Sequence, residues 1–206
     1  MSSVELFQKG GPVMYLLFLC SLTVAAIAID RWLCYKKAGL GAADLLRDIT
    51  KFSHSRQADE MQNAVQGKDN VVAVLTNAGT RANAAGENVQ IVIDAAYSDL
   101  AMELRARLNY LSMIVTMAPL LGLLGTISGM IQSFSIFNLQ AGQPMAITGG
   151  IGEALIATAT GLCVSIFALL VHTYFAQRMD KILTTMEKTE AVVIAGLTAR
   201  GESYAT

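Results

Sequence analysis

Apolar residues gather in three long runs along the chain, at about 12–30, 110–135 and 147–171. Each is near or above the roughly 20 residues that a bilayer-spanning helix needs. None alternates apolar and polar positions as a membrane barrel strand does. Backbone groups facing lipid must be bonded within their own segment, so the runs predict three transmembrane helices.

Between the first two runs the pattern is polar but periodic. Leu45, Leu46, Ile49, Phe52, Met61 and Val65 recur at helical spacing. Gly67-Lys68-Asp69-Asn70 reads as a turn, and Gly79 and Gly86 bracket a second break. From Glu87 the helical pattern resumes through Val89, Val92, Ala96, Leu100, Leu104 and Leu108. No stop signal precedes the second run. The pattern therefore predicts one helix from about 87 to 136, roughly 75 Å long at about 1.5 Å per residue. Beyond the third run, Met179, Ile182, Leu183, Met186, Val193 and Leu197 continue an apolar stripe. Proline occurs only at 12, 119 and 144, so few breakers intervene. The fold class is an all-α membrane protein. It has three transmembrane helices, two of them extended into long cytoplasmic stalks that form a helical bundle.

Charge sharpens this picture. The 206 residues include 15 Lys and Arg and 16 Asp and Glu, so 15% are charged and 53% hydrophobic, with mean hydropathy +0.47. Soluble domains carry about 25% charge. No Asp, Glu, Lys or Arg occurs anywhere in 108–152. A disordered chain, a disulfide scaffold and an ordinary soluble enzyme are excluded. The net charge of −1 argues against nucleic-acid binding, which needs a basic surface. Cys20, Cys34 and Cys163 are scattered, and His54 and His172 are the only histidines, so no metal site emerges. No phosphate loop, Ser/His/Asp set or paired catalytic carboxylates occur, and the chain is not expected to be an enzyme or to hold a cofactor.

Orientation follows from the cations. Ala26-Ile27-Ala28 resembles a signal cleavage site, but a signal peptide carries its positive charge before the apolar stretch. Here Arg31, Lys36 and Lys37 follow the run, which predicts a retained helix. Arg105 and Arg107 precede the second run, and Arg178 and Lys181 follow the third. The positive-inside rule puts these segments in the cytoplasm. The expected division is a periplasmic amino terminus at 1–11, spans at 12–30, 110–135 and 147–171, a cytoplasmic helical region at 31–109, a periplasmic loop at 136–146 and a cytoplasmic tail at 172–206.

Two spans carry polar stripes. On a helical wheel centred on Thr126, residues Ser112, Thr116, Pro119, Gly122, Gly129 and Ser133 fall within about 80°. In the third span, Ala154, Ala157, Thr158, Gly161, Ser165, Ala168 and His172 share an arc of about 140° with Glu153. Close helix packing explains such stripes in part, because small residues let backbones approach. Pro119 removes one backbone donor and introduces a kink. Glu153 lies about 9 Å into the third helix, where a carboxylate is costly and calls for a cavity or a polar partner. A position near the outer interface is the alternative. A proton path needs hydroxyls or water and a group that titrates. Glu153 and His172 are about 28 Å apart along a straight helix, so proton conduction would need a carboxylate from another chain.

Two motifs carry a resemblance. Ala118-Pro119-Leu120-Leu121-Gly122-Leu123-Leu124-Gly125-Thr126-Ile127-Ser128-Gly129-Met130-Ile131 resembles the signature of the MotA/TolQ/ExbB proton-channel family. So does Gly152-Glu153-Ala154-Leu155-Ile156-Ala157-Thr158-Ala159-Thr160-Gly161-Leu162. Gly10-Gly11-Pro12-Val13-Met14-Tyr15 and Asp30-Arg31 are similar to the ExbB branch. The resemblance implies a homopentameric subunit of the bacterial inner membrane. Its pore encloses the helices of a small single-span partner, ExbD-like or TolR-like, which supplies an intramembrane Asp. Protons are the transported ion, and proton-motive force becomes work delivered to a TonB-like protein for outer-membrane transport. A TolQ-like subunit of a Tol-Pal system is the alternative within the family, and a non-conducting membrane scaffold the alternative outside it. By the same resemblance Thr126 and Thr158 line the pore with Glu153 near their level, and Ser112, Thr116 and Ser165 extend the pathway. Pro119, Gly122, Gly125, Gly129 and Gly161 are then structural residues of the motifs.

Overall fold

The computed structural model describes residues 11–55, 57–139 and 144–198, apart from the side chains of 136–139, 144–148 and 153. The amino-terminal segment 1–10, residues 140–143 of the expected outer loop and the tail after 198 lie outside the described residues. The described chain is almost wholly helical. Its elements are α1 (Val13–Gly39), α2 (Ala42–His54), α3 (Ala58–Val65), α4 (Val71–Ala85), α5 (Val89–Arg105), α6 (Leu108–Leu139) and α7 (Pro144–Thr198). Three stretches, within α1, α6 and α7, are long and apolar enough to cross a membrane. The protein is an all-α membrane protein with three transmembrane helices, as the apolar runs predict. No more than 28% of these stretches is buried within the chain. Their large apolar side chains, such as Phe18, Leu120, Phe134 and Leu170, are exposed and need lipid or protein to cover them.

Contacts divide the chain into two units. One comprises 1–29 and 107–174, the other 30–106 and 175–206. The second unit is a bundle with a conventional core. Leu45 and Ile49 of α2, Met61 and Val65 of α3, Val72 and Leu75 of α4, Ile93 of α5, and Met186 and Val193 of α7 are all buried. The periodic pattern picked out most of these. It missed Val72 and Leu75 of α4 and Ile93, which sits on the buried face of α5.

Local chemistry sets the ends of these short helices. The turn at 67–70 forms as expected, with Gly67 at φ 71° and Asn70 capping α4 by accepting from the Ala73 N–H. The Asn70 amide also donates to the Leu40 carbonyl at 3.0 Å. Gly86 ends α4 in the left-handed region, and the Glu87 N–H reaches back to the Ala82 carbonyl at 2.9 Å. With the Gly86 N–H bonded to the Asn83 carbonyl at 3.3 Å, this is the usual glycine termination of a helix. Asn88 then caps α5 through the Gln90 and Ile91 N–H groups. Gly79 is not a break. It lies inside α4, where a β-carbon would stand 2.7 Å from Val193 Cγ1 and 2.8 Å from Ile93 Cδ1. Glycine is there because α5 and α7 come close.

The expected single helix from 87 to 136 is in fact two. Ala106 leaves the helix at φ −50°, ψ 149°, and Arg107 takes a left-handed φ of 65°. Side chains of α1 account for the ending. The Arg31 Nη1 donates to the Glu103 carbonyl at 3.1 Å, and the Tyr35 hydroxyl donates to the Leu104 carbonyl at 2.8 Å. In a continuing helix these oxygens would accept from the N–H groups of 107 and 108. Arg31 is only 5% exposed and pairs with Asp30 at 2.8 Å. Its guanidinium also lies 5.8 Å from the Tyr35 ring centroid, and that ring packs edge-on against Phe175. α7 contrasts with this, running on past its apolar stretch as one helix.

An acidic cluster lies where α5 meets α7. Tyr97 donates to the Glu187 Oε1 at 3.4 Å. Burial, then a hydrogen bond to Asp94 and the charges of Asp94 and Glu187, raise the Glu190 carboxyl above the ordinary carboxylate range.

Two outcomes follow for the second unit. Tyr35→Phe should cost about 1 kcal/mol, because it leaves the buried Leu104 carbonyl without its donor, and Arg31→Met about 1–3 kcal/mol, because it removes a charge-assisted bond to the part-buried Glu103 carbonyl. Thermal unfolding of the detergent-solubilised protein measures both. Glu190 has a raised folded pKa, so its stabilising contribution is complete below the unfolded carboxyl value and is lost as pH rises through the folded one. Glu190→Gln should therefore raise the melting midpoint at neutral pH, and the gain should vanish on acidification below the ordinary Glu range.

Candidate functional site

In the first unit α6 and α7 meet along two rows of small residues. A β-carbon on Gly161 would lie 2.6 Å from the Ala118 carbonyl oxygen and 3.0 Å from the Gly122 Cα. One on Gly122 would lie 3.0 Å from the Thr158 Cα. Gly125 faces Ala157, and Gly129 faces Ala154. Residue numbers rise along one helix as they fall along the other, so the two are antiparallel. At Gly161 and Gly122 the approach is backbone to backbone, and at Gly125 and Gly129 backbone to an alanine methyl. In lipid, where helices gain little from hydrophobic association, close van der Waals contact of this kind drives pairing.

The hydroxyls of the two stripes divide into two groups. Thr126 donates to the Leu123 carbonyl at 2.7 Å, Thr116 to Met113 at 2.9 Å, Ser133 to Gly129 at 2.7 Å and Thr160 to Ile156 at 2.8 Å. All of these bonds stay within one helix, the usual arrangement for Ser and Thr in an apolar helix. Two hydroxyls cross instead. Thr158 donates to the Gly122 carbonyl at 2.9 Å and Ser165 to the Val115 carbonyl at 2.6 Å.

Each sequence-derived candidate can now be located. Thr158 and Ser165 are half-buried on α7 and bonded to α6. Thr126 is half-buried on α6, while Ser112 and Thr116 are exposed. Pro119 lies inside α6, one residue after the fully buried Ala118. Gly122, Gly125, Gly129 and Gly161 form the contact itself. Glu153 stands on α7 one residue before the buried Ala154, and its side chain lies outside those described. His172, half-buried, is on the same helix. The structure thus brings together Thr158, Gly122, Gly161 and Ser165. Ser112 and Thr116 are not part of that contact. The stripe pattern singled out Gly122 but not Val115, whose carbonyl accepts from Ser165, nor Ala118, whose carbonyl lies against Gly161. A carbonyl has no residue-type signature, so the only available signal was the spacing of the glycines.

Chemically, each of these bonded hydroxyls keeps its proton, donates it in a hydrogen bond to a carbonyl and retains lone pairs that can accept. Such a group can accept a hydrogen bond but cannot serve as an acid. Among the described residues no three His, Cys, Asp or Glu side chains group as a metal site would require.

Comparison with known proteins identifies the family of the chain. Residues 55–188 match the pattern of the MotA/TolQ/ExbB proton channel family. The chain is 33% identical over 173 residues to a biopolymer transport protein ExbB-like 3 of Synechocystis, covering 82% of each chain. It is 30% identical over 197 residues to the biopolymer transport protein ExbB of Neisseria meningitidis, covering 86% of this chain and 88% of that one. A Tol-Pal system protein TolQ of Pseudomonas aeruginosa is 32% identical over 106 residues, 51% of this chain and 46% of the other.

The contact geometry separates the glycines. Gly161→Ala must push backbone away and should lower stability by about 1–3 kcal/mol, the usual cost of overpacking. Gly152→Ala meets nothing within 4 Å in this chain and, inside a helix, should stabilise the isolated chain by up to about 1 kcal/mol. Thermal melts of the two variants in detergent provide the comparison.

Proposed function

Because the chain belongs to the MotA/TolQ/ExbB proton channel family, with relatives of the ExbB branch matched over most of its length, we propose that it is the ring-forming subunit of an ExbB-type motor. In this reading it forms a homopentamer in the bacterial inner membrane. The pore surrounds the single helices of an ExbD-like partner. Proton-motive force drives the two assemblies against each other, and the work passes to a TonB-like protein.

The observation that carries this reading is the pairing of committed hydroxyls with an absence of charge. Residues 108–152 hold no charged residue, and Glu153 is the one carboxylate within the second and third apolar runs. Thr126, Thr158 and Ser165 have their protons bonded to carbonyls. A wall of this kind accepts from a protonated carboxylic acid and offers nothing to the ionised form. A partner Asp would pick up a proton, move along the wall as a neutral acid and release the proton elsewhere. Glu153, near the start of α7, is the group on this chain suited to exchange that proton. Arg31, Lys36, Lys37, Arg178 and Lys181 support an orientation with the polar helical unit in the cytoplasm.

The partial match to a Tol-Pal TolQ supports a second reading, in which the same device energises an envelope-maintenance system. The small protein that co-purifies with this chain separates the two.

The test uses the chain co-expressed with its partner. Thr158→Val and Glu153→Ala should abolish energy-dependent uptake while the complex still assembles on size-exclusion chromatography. Thr126→Val should impair uptake and Thr126→Ser should retain it. Wild-type uptake with Thr158→Val and Glu153→Ala would sink the assignment, as would proton flux in liposomes from this chain alone.

A further inference from the structure

Proline inside a helix removes one N–H, and the carbonyl four residues earlier loses its donor. For Pro119 that carbonyl belongs to Val115. The Val115 oxygen is the one that Ser165 reaches from α7, at 2.6 Å. We propose that Ser165 is a positioning residue: its hydroxyl replaces the main-chain bond that Pro119 deletes, and the two residues form one cross-helix clasp.

Three observations support the assignment. First, the default for a hydroxyl in these helices is its own helix. Thr116, Thr126, Ser133, Ser135 and Thr160 all donate three or four residues back. The corresponding acceptor for Ser165 would be the Gly161 carbonyl, and Ser165 bonds Val115 instead. Second, the reach is built in. Serine is short, and it meets a backbone oxygen on another helix only because Gly161 lets α7 close on the Ala118 carbonyl and on Gly122. Third, the bond has a matching partner two turns away. Thr158 donates to Gly122, and Ser165 donates to Val115. The donors and the acceptors are equally spaced on their two antiparallel helices, with Gly161 and Ala118 between them. The two bonds differ in kind. Gly122 keeps an ordinary helical donor in Thr126, so the Thr158 bond is an addition. Val115 has no donor at 119, so the Ser165 bond is a substitution.

The clasp changes what Pro119 does. An unsatisfied carbonyl beside a proline in an apolar medium invites water and makes a flexible joint. With Ser165 bonded there, α6 is held to α7 at this level and Pro119 sets a fixed shape. This holds whether or not the helices line a proton path.

The experiment is a double-mutant cycle on the full chain in detergent. Ser165→Ala should lower the melting midpoint by roughly 2–4 °C, the scale of one hydrogen bond in a chain of this size. In a Pro119→Ala background the N–H at 119 is restored, and the same Ser165→Ala change should lose less than half as much. A spectroscopic arm reads the carbonyl directly. With carbonyl-labelled valine, and a Val115→Leu preparation as the subtraction, the Val115 amide I band should move to higher frequency in Ser165→Ala. It should return in the double variant. If Ser165→Ala alone fails to fold and Pro119→Ala rescues it, the clasp is supported. Equal losses in both backgrounds, a Val115 band that does not move, or a folding failure that Pro119→Ala leaves uncured would overturn it.

Discussion

The membrane-embedded part of this protein depends on one steric fact: α7 has no side chain where it meets the backbone of α6 at Ala118 and Gly122. Everything described there follows from the resulting distance. Thr158 and Ser165 reach carbonyls on the neighbouring helix because the helix axes are close. Ala154 and Ala157 fit opposite Gly129 and Gly125 for the same reason. With the helices this close, the stripe hydroxyls bond to backbone carbonyls, either of their own helix or of its neighbour. A stripe that looks on a wheel like the lining of a channel is, within this chain, the seam between two helices.

The polar unit is organised differently. Its helices are short, amphipathic and ended by asparagine caps, glycine terminations and side chains from elsewhere. Arg31 and Tyr35 matter most among these, since they end α5 from a distance. Their bonds make the left-handed Arg107 tolerable, a conformation that costs a non-glycine residue about 1–2 kcal/mol on its own. Packing of Gly79 against Ile93 and Val193 ties α4, α5 and α7 together, and Ser53 adds a bond from α2 to the Val192 carbonyl at 2.8 Å.

What could be read beforehand follows from the range of each interaction. The three spans were legible because absence of charge is a property of consecutive residues. The small-residue faces were legible because a helix repeats regularly. The break at Ala106 was not, because the groups that cause it lie 72 and 69 residues away along the chain. Gly79 was misread because glycine serves two ends, turning a chain or admitting a neighbour, and only the neighbour's identity distinguishes them. At the candidate site, the hydroxyl-bearing residues were visible, but which of them fold back and which cross was not. That choice is set by the interhelical distance, and it places Ser165 opposite a carbonyl that no sequence pattern marks.

The Gly161 contact also bears on temperature. The cohesion of the polar unit rests on buried Leu, Ile, Met and Val, whose transfer from water carries a large heat-capacity change and weakens on cooling. The α6–α7 contact is made against lipid, with little apolar surface taken from water, and rests on dispersion and carbonyl-bound hydroxyls. Its strength therefore lacks that curvature. Below its temperature of maximum stability, cooling loosens the bundle that surrounds Ile49 and Met186 before it loosens the helix pair around Gly161, so the two units of one chain meet cold with unequal stiffness.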